Sequence, residues 1–144
     1  DIQVRAGEVL LLLGEIGSGK STLLSLMSGA KPARSMEVEV TRRRAYVSQI
    51  PFVLNDTIRA NVLFGLDLDE QRYRDAMARS QMAKDIAGMV DGDATLVGRS
   101  GVQLSGGQKS RLALARALYA DAKIVFLDDV FSAVDAQTGN AIWE

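Results

Sequence analysis

Val9-Leu10-Leu11-Leu12-Leu13-Gly14-Glu15-Ile16-Gly17-Ser18-Gly19-Lys20-Ser21-Thr22 decides how this chain is read. Five consecutive apolar residues ending on a glycine predict a fully buried parallel strand. Gly14 to Ser21 matches the phosphate loop G-x-x-x-x-G-K-[ST], whose glycines let successive backbone N–H groups turn toward phosphate oxygens. In that pattern Lys20 reaches the β- and γ-phosphates and the Ser21 hydroxyl ligates Mg2+. Leu23, Leu24, Leu26 and Met27 make an apolar helical face, so a helix is expected over Lys20–Ser28 with Gly29 as its stop. The positive end of that helix faces the bound anion. A plain glycine turn is the competing reading. The strand before the loop and the helix after it are the context that favours phosphate binding. The nucleotide-contacting candidates are therefore Gly14, Glu15, Ile16, Gly17, Ser18, Gly19, Lys20, Ser21 and Thr22.

About a hundred residues downstream, Lys123-Ile124-Val125-Phe126-Leu127 predicts a second buried strand, and Asp128 stands at its tip. An acid in that place holds Mg2+ directly or through water, the second element of a nucleotide site. Asp129 follows. It is a candidate to orient or deprotonate the attacking water, and an ordinary helix or turn cap is its other reading. Leu104-Ser105-Gly106-Gly107-Gln108 opens a helix reaching to about Ala120, with Ser105 as its cap. This makes a second anion-binding helix start. One phosphate loop already supplies a complete cradle, so a second cradle suggests service to a different nucleotide, in a facing domain.

Between these motifs, Met36–Thr41 alternates polar and apolar residues and predicts an edge or antiparallel strand, with Arg44–Ser48 as a second short strand. Asp56 is expected to cap a helix over Thr57–Leu63. Asp69 is expected to cap Glu70–Met89, broken near Gln81, and Asp135 to cap a helix from Ala136 onward. Strand, glycine loop, helix and a later acid-tipped strand describe a parallel α/β sheet. The helices between residues 52 and 104 do not fit that alternation and read as an inserted helical subdomain. The bland features are Arg42-Arg43-Arg44 as a solvated face, and Met77, Met82 and Met89 as core packing.

Composition narrows the chemistry. The chain has 144 residues, 47% hydrophobic and 24% charged, as for one globular domain. Its net charge of −1 supplies no field for nucleic acid or acidic lipid. With no Cys and no His, disulfides, thiolate metal sites, Cys nucleophiles and His-based triads are excluded. The longest apolar run, Val9–Leu13, is far below the roughly 18 residues that span a bilayer. The chain opens on Asp1 without an initiator Met, so a segment of a longer protein is expected.

Taken together, the phosphate loop, Tyr46-Val47-Ser48-Gln49, Leu104–Gln108, the acid-tipped strand and Ser132-Ala133-Val134-Asp135 resemble the ATP-binding cassette (ABC) family in order and spacing. The resemblance covers essentially the whole chain. It implies a P-loop NTPase (RecA-like) parallel-sheet core at about 1–50 and 119–144. An antiparallel β edge and a helical subdomain at about 51–118 complete that fold. It implies ATP and Mg2+ as ligands, with Ser21, Gln49 and Asp128 at the metal and Asp129, Gln49 and Lys20 in catalysis. Ser105, Gly106, Gly107 and Gln108 would serve the γ-phosphate of ATP held by a second cassette, and Ala133 and Asp135 would cross the interface between the two. Transmembrane domains are the other partner. The cassette would lie on the cytoplasmic side of the membrane, held there through its parent transporter.

Pro51–Arg59 and Asn61–Gly65 resemble exporter cassettes, which argues against a soluble DNA-repair or translation ATPase. Gly101–Lys109 resembles the C subfamily, the multidrug-resistance-associated type, and Phe126–Asp129 the first of its two cassettes. The implied function is MgATP hydrolysis that powers export. The alternative is a regulatory cassette with little hydrolysis, because Asp129 stands where Glu is usual. Arg99, within Thr95–Gly101, likewise replaces a common acid in the loop that meets the membrane domains. The adenine-stacking aromatic and the switch histidine are expected outside residues 1–144.

Overall fold

The computed structural model describes residues 2–32, 40–99, 101–132 and 135–143. Gly19, in a left-handed conformation at φ 92°, releases the chain into α1 (Lys20–Met27). The helix stops at Ser28–Gly29 as expected. Most of the strand expected at Met36–Thr41 lies outside the described residues. β1 (Arg44–Val47) matches the second strand expectation.

α2 (Ile58–Leu63) starts one residue later than expected. Thr57, not Asp56, is its N-cap, with Thr57 Oγ1 accepting from the Ala60 N–H at 3.0 Å. The Asp56 carboxylate instead accepts from the adjacent Thr57 N–H at 2.7 Å. Both residue types can cap, and the one whose side chain sits three residues before a free N–H takes the role.

Asp69 caps α3 (Glu70–Arg79), accepting from the Arg72 N–H at 3.0 Å. Gln81 then adopts φ 61° and breaks the helix before α4 (Met82–Ile86), as expected. A short 3-10 turn (Gly92–Ala94) leads through a loop to α5 (Gly106–Tyr119). β2 (Ile124–Leu127) and α6 (Ala136–Trp143) complete the described chain.

β1 and β2 pair in parallel, with Tyr46 opposite Phe126 and Val47 opposite Leu127. Lys123 N–H to Arg43 O (2.7 Å) and Asp128 N–H to Val47 O (2.9 Å) extend the ladder at both ends. The crossover between these parallel strands runs through α2 to α5, so the fold is α/β.

The main apolar cluster lies within that crossover. Ile58, Met82, Leu112 and Tyr119 are fully buried, and Met77 joins them while Met89 packs at the margin. α5 is apolar on two sides. Leu112, Ala115 and Tyr119 face this cluster, whereas Ala113 and Ala117 pack on Val47 and Val130 beside the sheet. A helix buried on two sides is the wedge between two packing units.

Two strand expectations need correction. Val9–Leu13 forms no strand pair among the described residues, and Leu11 and Leu13 are 72% and 83% exposed. Apolarity makes a run suitable for burial, but the burial itself needs flanking strands and covering helices. β2 is only partly buried: Phe126 is inside, while Val125 remains accessible. The bland expectation for the arginines stands, since Arg42, Arg43 and Arg44 are all exposed and Arg43 pairs with Asp121.

Candidate nucleotide site

The loop ahead of α1 is shaped by backbone sterics. Gly17 and Gly19 take φ of 83° and 92°, a region that costs an L side chain about 1–2 kcal/mol. A Cβ on Gly14 would lie 2.8 Å from Ser18 Oγ, so a side chain there would make the exposed Ser18 hydroxyl turn away. Gly19 caps α1 without a side-chain acceptor, which leaves first-turn N–H groups free for an anion. Lys20 folds back over this turn, and its ammonium donates to Gly14 O and Glu15 O at 2.8 Å each. The third ammonium proton is left for a ligand. Loop residues Glu15, Ile16 and Ser18 are exposed, as is Thr22 on α1.

Asp128, 7% exposed at the tip of β2, is the focus of the site. Ser21 Oγ donates to its Oδ1 at 2.8 Å, and the Tyr46 hydroxyl donates to its Oδ2 at 2.9 Å. Burial, and then the bond to this carboxylate and its charge, push the Tyr46 hydroxyl up to about 12, so it remains a donor at neutral pH. Next along the chain, Asp129 sits at φ 52° and accepts from the Gln49 side-chain amide at 3.0 Å. Of the residue types that occupy left-handed backbone, Asp is among the more tolerant. Lys20, Ser21, Gln49, Asp128 and Asp129 are thus drawn to one end of the sheet from three separate stretches.

The donor set fits Mg2+ carried in by a polyphosphate. Ser21 and Asp128 bring hard oxygens to within 2.8 Å of each other beside the glycine loop. Among the described residues no cluster of three or more His, Cys, Asp or Glu forms a metal cage. A cation held by one carboxylate, a hydroxyl and substrate phosphates is the usual Mg2+ arrangement.

The second candidate stretch, Leu104–Gln108, starts α5 with a capping box. Ser105 Oγ accepts from the Gln108 N–H at 3.2 Å, and Gln108 Oε1 accepts from the Ser105 N–H at 2.9 Å, a reciprocal capping box. The Gln108 amide nitrogen meets Asp85 Oδ1 at 3.4 Å. The Gln108 side chain is therefore engaged at both ends. What this helix start offers an anion is the Ser105 hydroxyl proton and the Gly106 and Gly107 N–H groups. The hydrogen bonds of Ser105 and Gln108 run to each other and to Asp85, not to the glycine loop.

Asp135 caps α6 through the Thr138 N–H at 2.9 Å, and this backbone bond holds its carboxyl below the usual range. Ala133 lies outside the described residues. Within Thr95–Gly101, Thr95 and Val97 are buried and hydrogen-bonded to the chain entering α2, while Arg99 is exposed.

Two residues near the site have no role assigned by sequence alone: Tyr46, which counts there only as part of the Tyr46–Gln49 stretch, and Asp85. Alternation along β1 puts Tyr46 on one face, but only the register with β2 brings it to Asp128. Asp85 holds Arg111 in a two-point ion pair (2.6 and 2.8 Å), and both side chains are nearly buried, at 13% and 14% exposure. That pair ties α4 to the helix carrying Ser105.

The family profile described as ABC transporter matches residues 1–132. The chain is 46% identical over 140 residues to mouse ATP-binding cassette sub-family C member 4, covering 97% of this chain and 11% of that protein. It is 45% identical over 141 residues to the human protein of the same name, covering 98% of this chain and 11% of that protein. It is 43% identical over 143 residues to ABC transporter C family member 13 of Oryza sativa subsp. indica, covering 99% of this chain and 10% of that protein. The chain thus spans about a tenth of the length of these relatives. A phosphate loop and an acid-tipped strand meeting at one site, with C-subfamily relatives along nearly the whole sequence, place this chain in the ABC transporter family as an ATP-binding cassette of the C-subfamily type.

Proposed function

We propose that this cassette binds MgATP and hydrolyses it at a head-to-tail interface with a second cassette, powering export through transmembrane domains of the same transporter. The observation that carries this reading is the convergence of Ser21 on Asp128 beside the Lys20-closed glycine loop, with Asp129 next in sequence. Mg2+, when bound with the nucleotide, supplies neutralisation of phosphate charge. Lys20 and the α1 N–H groups bind the phosphates, Ser21 and Asp128 face the metal, and Gln49 holds Asp129. Asp129 accepts a hydrogen bond from the attacking water. That water's oxygen bonds to the γ-phosphorus as the bond to the ADP oxygen breaks.

The reading includes a core at about 1–50 and 119–144 with an antiparallel β edge, and a helical subdomain at about 51–118. The apolar cluster confined to Ile58–Tyr119 supports the subdomain. The two-sided burial of α5 makes that helix the joint between the two parts. Among the described residues no helix is long and apolar enough to cross a membrane. Attachment to the cytoplasmic face would run through the parent transporter's membrane domains, as in the family this chain belongs to. The charge balance gives no support for a nucleic-acid partner.

The pairing mode has a direct test. Ser105→Arg puts a long cation where the exposed cap meets the partner's nucleotide. It is expected to abolish ATP-driven association of the two cassettes while ATP binding to this one stays within about twofold. Loss of binding in the single cassette would place Ser105 in its own site and end the shared-site reading.

A second reading, a cassette that closes on ATP with little hydrolysis, is favoured by Asp129. Its carboxylate is one methylene shorter than Glu and is engaged by Gln49. A displacement of about 1 Å can cost on the order of 100-fold in rate. In the full transporter, with the partner site's phosphate-loop lysine replaced, Asp129→Glu is expected to raise phosphate release about tenfold, or about 1.4 kcal/mol of barrier. An unchanged or lower rate would show that the reach of Asp129 does not limit hydrolysis.

A further inference from the structure

We infer that Tyr46 is a positioning residue of the magnesium site, holding one oxygen of the Asp128 carboxylate so that the plane of the group is fixed and its other oxygen, beside Ser21, stays aimed at the metal. The inference rests on the reading of Ser21 and Asp128 as the metal-facing pair. Tyr46 belongs to neither the phosphate loop nor the acid-tipped strand. The register of the sheet brings it in. Tyr46 pairs with Phe126, and Asp128, two residues farther on, lies on the same face.

The geometry divides the carboxylate into two oxygens with separate tasks. Oδ2 takes the Tyr46 hydroxyl at 2.9 Å and Oδ1 takes the Ser21 hydroxyl at 2.8 Å. The main chain beneath is fixed as well, because the Asp128 N–H donates to Val47 O at 2.9 Å. What remains free is rotation of the carboxylate about its own bonds, and the two hydroxyls stop that rotation from opposite sides. A metal-bound Ser21 aims a lone pair at the cation, so its hydroxyl must serve the metal and Oδ1 at once. Among the described residues, Tyr46 is the side-chain donor whose bond to the carboxylate carries no such second task. Tyr46 is half-buried and anchored in β1, which makes it a stiffer support than a solvent-facing group. Removing its hydroxyl leaves Oδ2 of a buried carboxylate without its partner. The carboxylate plane is then free to rotate, and neither oxygen is held in the direction of Ser21 and the metal. Partners of this outer kind are typically worth 10- to 100-fold in metal affinity.

The test is the Mg2+ requirement for ATP retention in the full-length transporter, with the partner cassette's phosphate-loop lysine replaced so that only this site is read. Mg2+ is titrated at fixed ATP, and ATP binding is also measured in EDTA. Tyr46→Phe, which deletes one oxygen and keeps the ring, is expected to raise the half-saturating Mg2+ about tenfold and leave EDTA binding within about twofold. Unchanged EDTA binding also certifies that the variant is folded. Asp128→Asn is the reference for the underlying reading and is expected to raise the Mg2+ requirement at least as much. If Asp128→Asn shifts the Mg2+ requirement and Tyr46→Phe does not, the role of Tyr46 is refuted and the metal pair stands. Equal weakening of Tyr46→Phe with and without Mg2+ would make Tyr46 a packing residue and overturn the inference. If Asp128→Asn leaves the Mg2+ requirement unchanged, the metal pair itself falls and the role of Tyr46 with it.

Discussion

Lys20→Ala is expected to weaken ATP binding at this site by about 100-fold and to lower hydrolysis there by at least as much. The ammonium closes the glycine loop through Gly14 O and Glu15 O, and its third proton has no partner within the loop's own bonds. Two effects therefore coincide when it is removed. The phosphates lose charge-assisted hydrogen bonds worth about 1.5–3 kcal/mol each, and the loop loses the clamp that holds its carbonyls back. Preorganised donors at a transferring phosphoryl group typically contribute about 100- to 1000-fold to rate. The measurement is equilibrium nucleotide binding to the full transporter with the partner site disabled. Binding as tight as in the unsubstituted protein would show that the glycine loop is not the triphosphate cradle.

The largest expected loss of stability comes from Asp85→Ala. Asp85 and Arg111 form a bidentate pair with little solvent access, and the pairing raises the Arg111 guanidinium above its ordinary value. Deleting one member strands the other charge, which typically costs about 3 kcal/mol. It also removes the contact between Asp85 and Gln108, the residue that completes the Ser105 capping box. Removing both charges should act in the opposite direction. Asp85→Leu together with Arg111→Met removes both charges and is expected to recover most of the loss, because an apolar pair of similar size carries no desolvation cost. Denaturant unfolding of the folded cassette, followed for the two single variants and the double, checks this. A double variant as unstable as Asp85→Ala would show that the helix contact, not the ion pair, is what matters.

The cassette's local logic was readable from short stretches. Asp69, Ser105 and Asp135 each stand as a cap in the sequence pattern, and each accepts from the N–H three residues on. A cap is a bond across three positions, so its donor and acceptor are both visible in a single window of sequence. The break at Gln81 and the stop at Gly29 belong to the same class. Asp56 and Thr57 show the resolution of such reading, since two adjacent capping types differ only in the backbone angles that the fold imposes.

Whether an apolar run is buried, and which distant groups meet, was decided by tertiary structure alone. Val9–Leu13 is as apolar as a core strand, yet burial depends on what packs over it, and the run does not encode that. The site's main bond joins Ser21 to Asp128 across 107 residues, and Tyr46 reaches the same carboxylate across 82. The sequence marked the phosphate loop and the acid because each is a local pattern. The Ser21, Asp128 and Tyr46 contact depends on strand register and the path of the crossover, which no single segment specifies. Closing such loops is costly in entropy, and here the packing of α2 through α5 holds β1 and β2 together and brings the site with them.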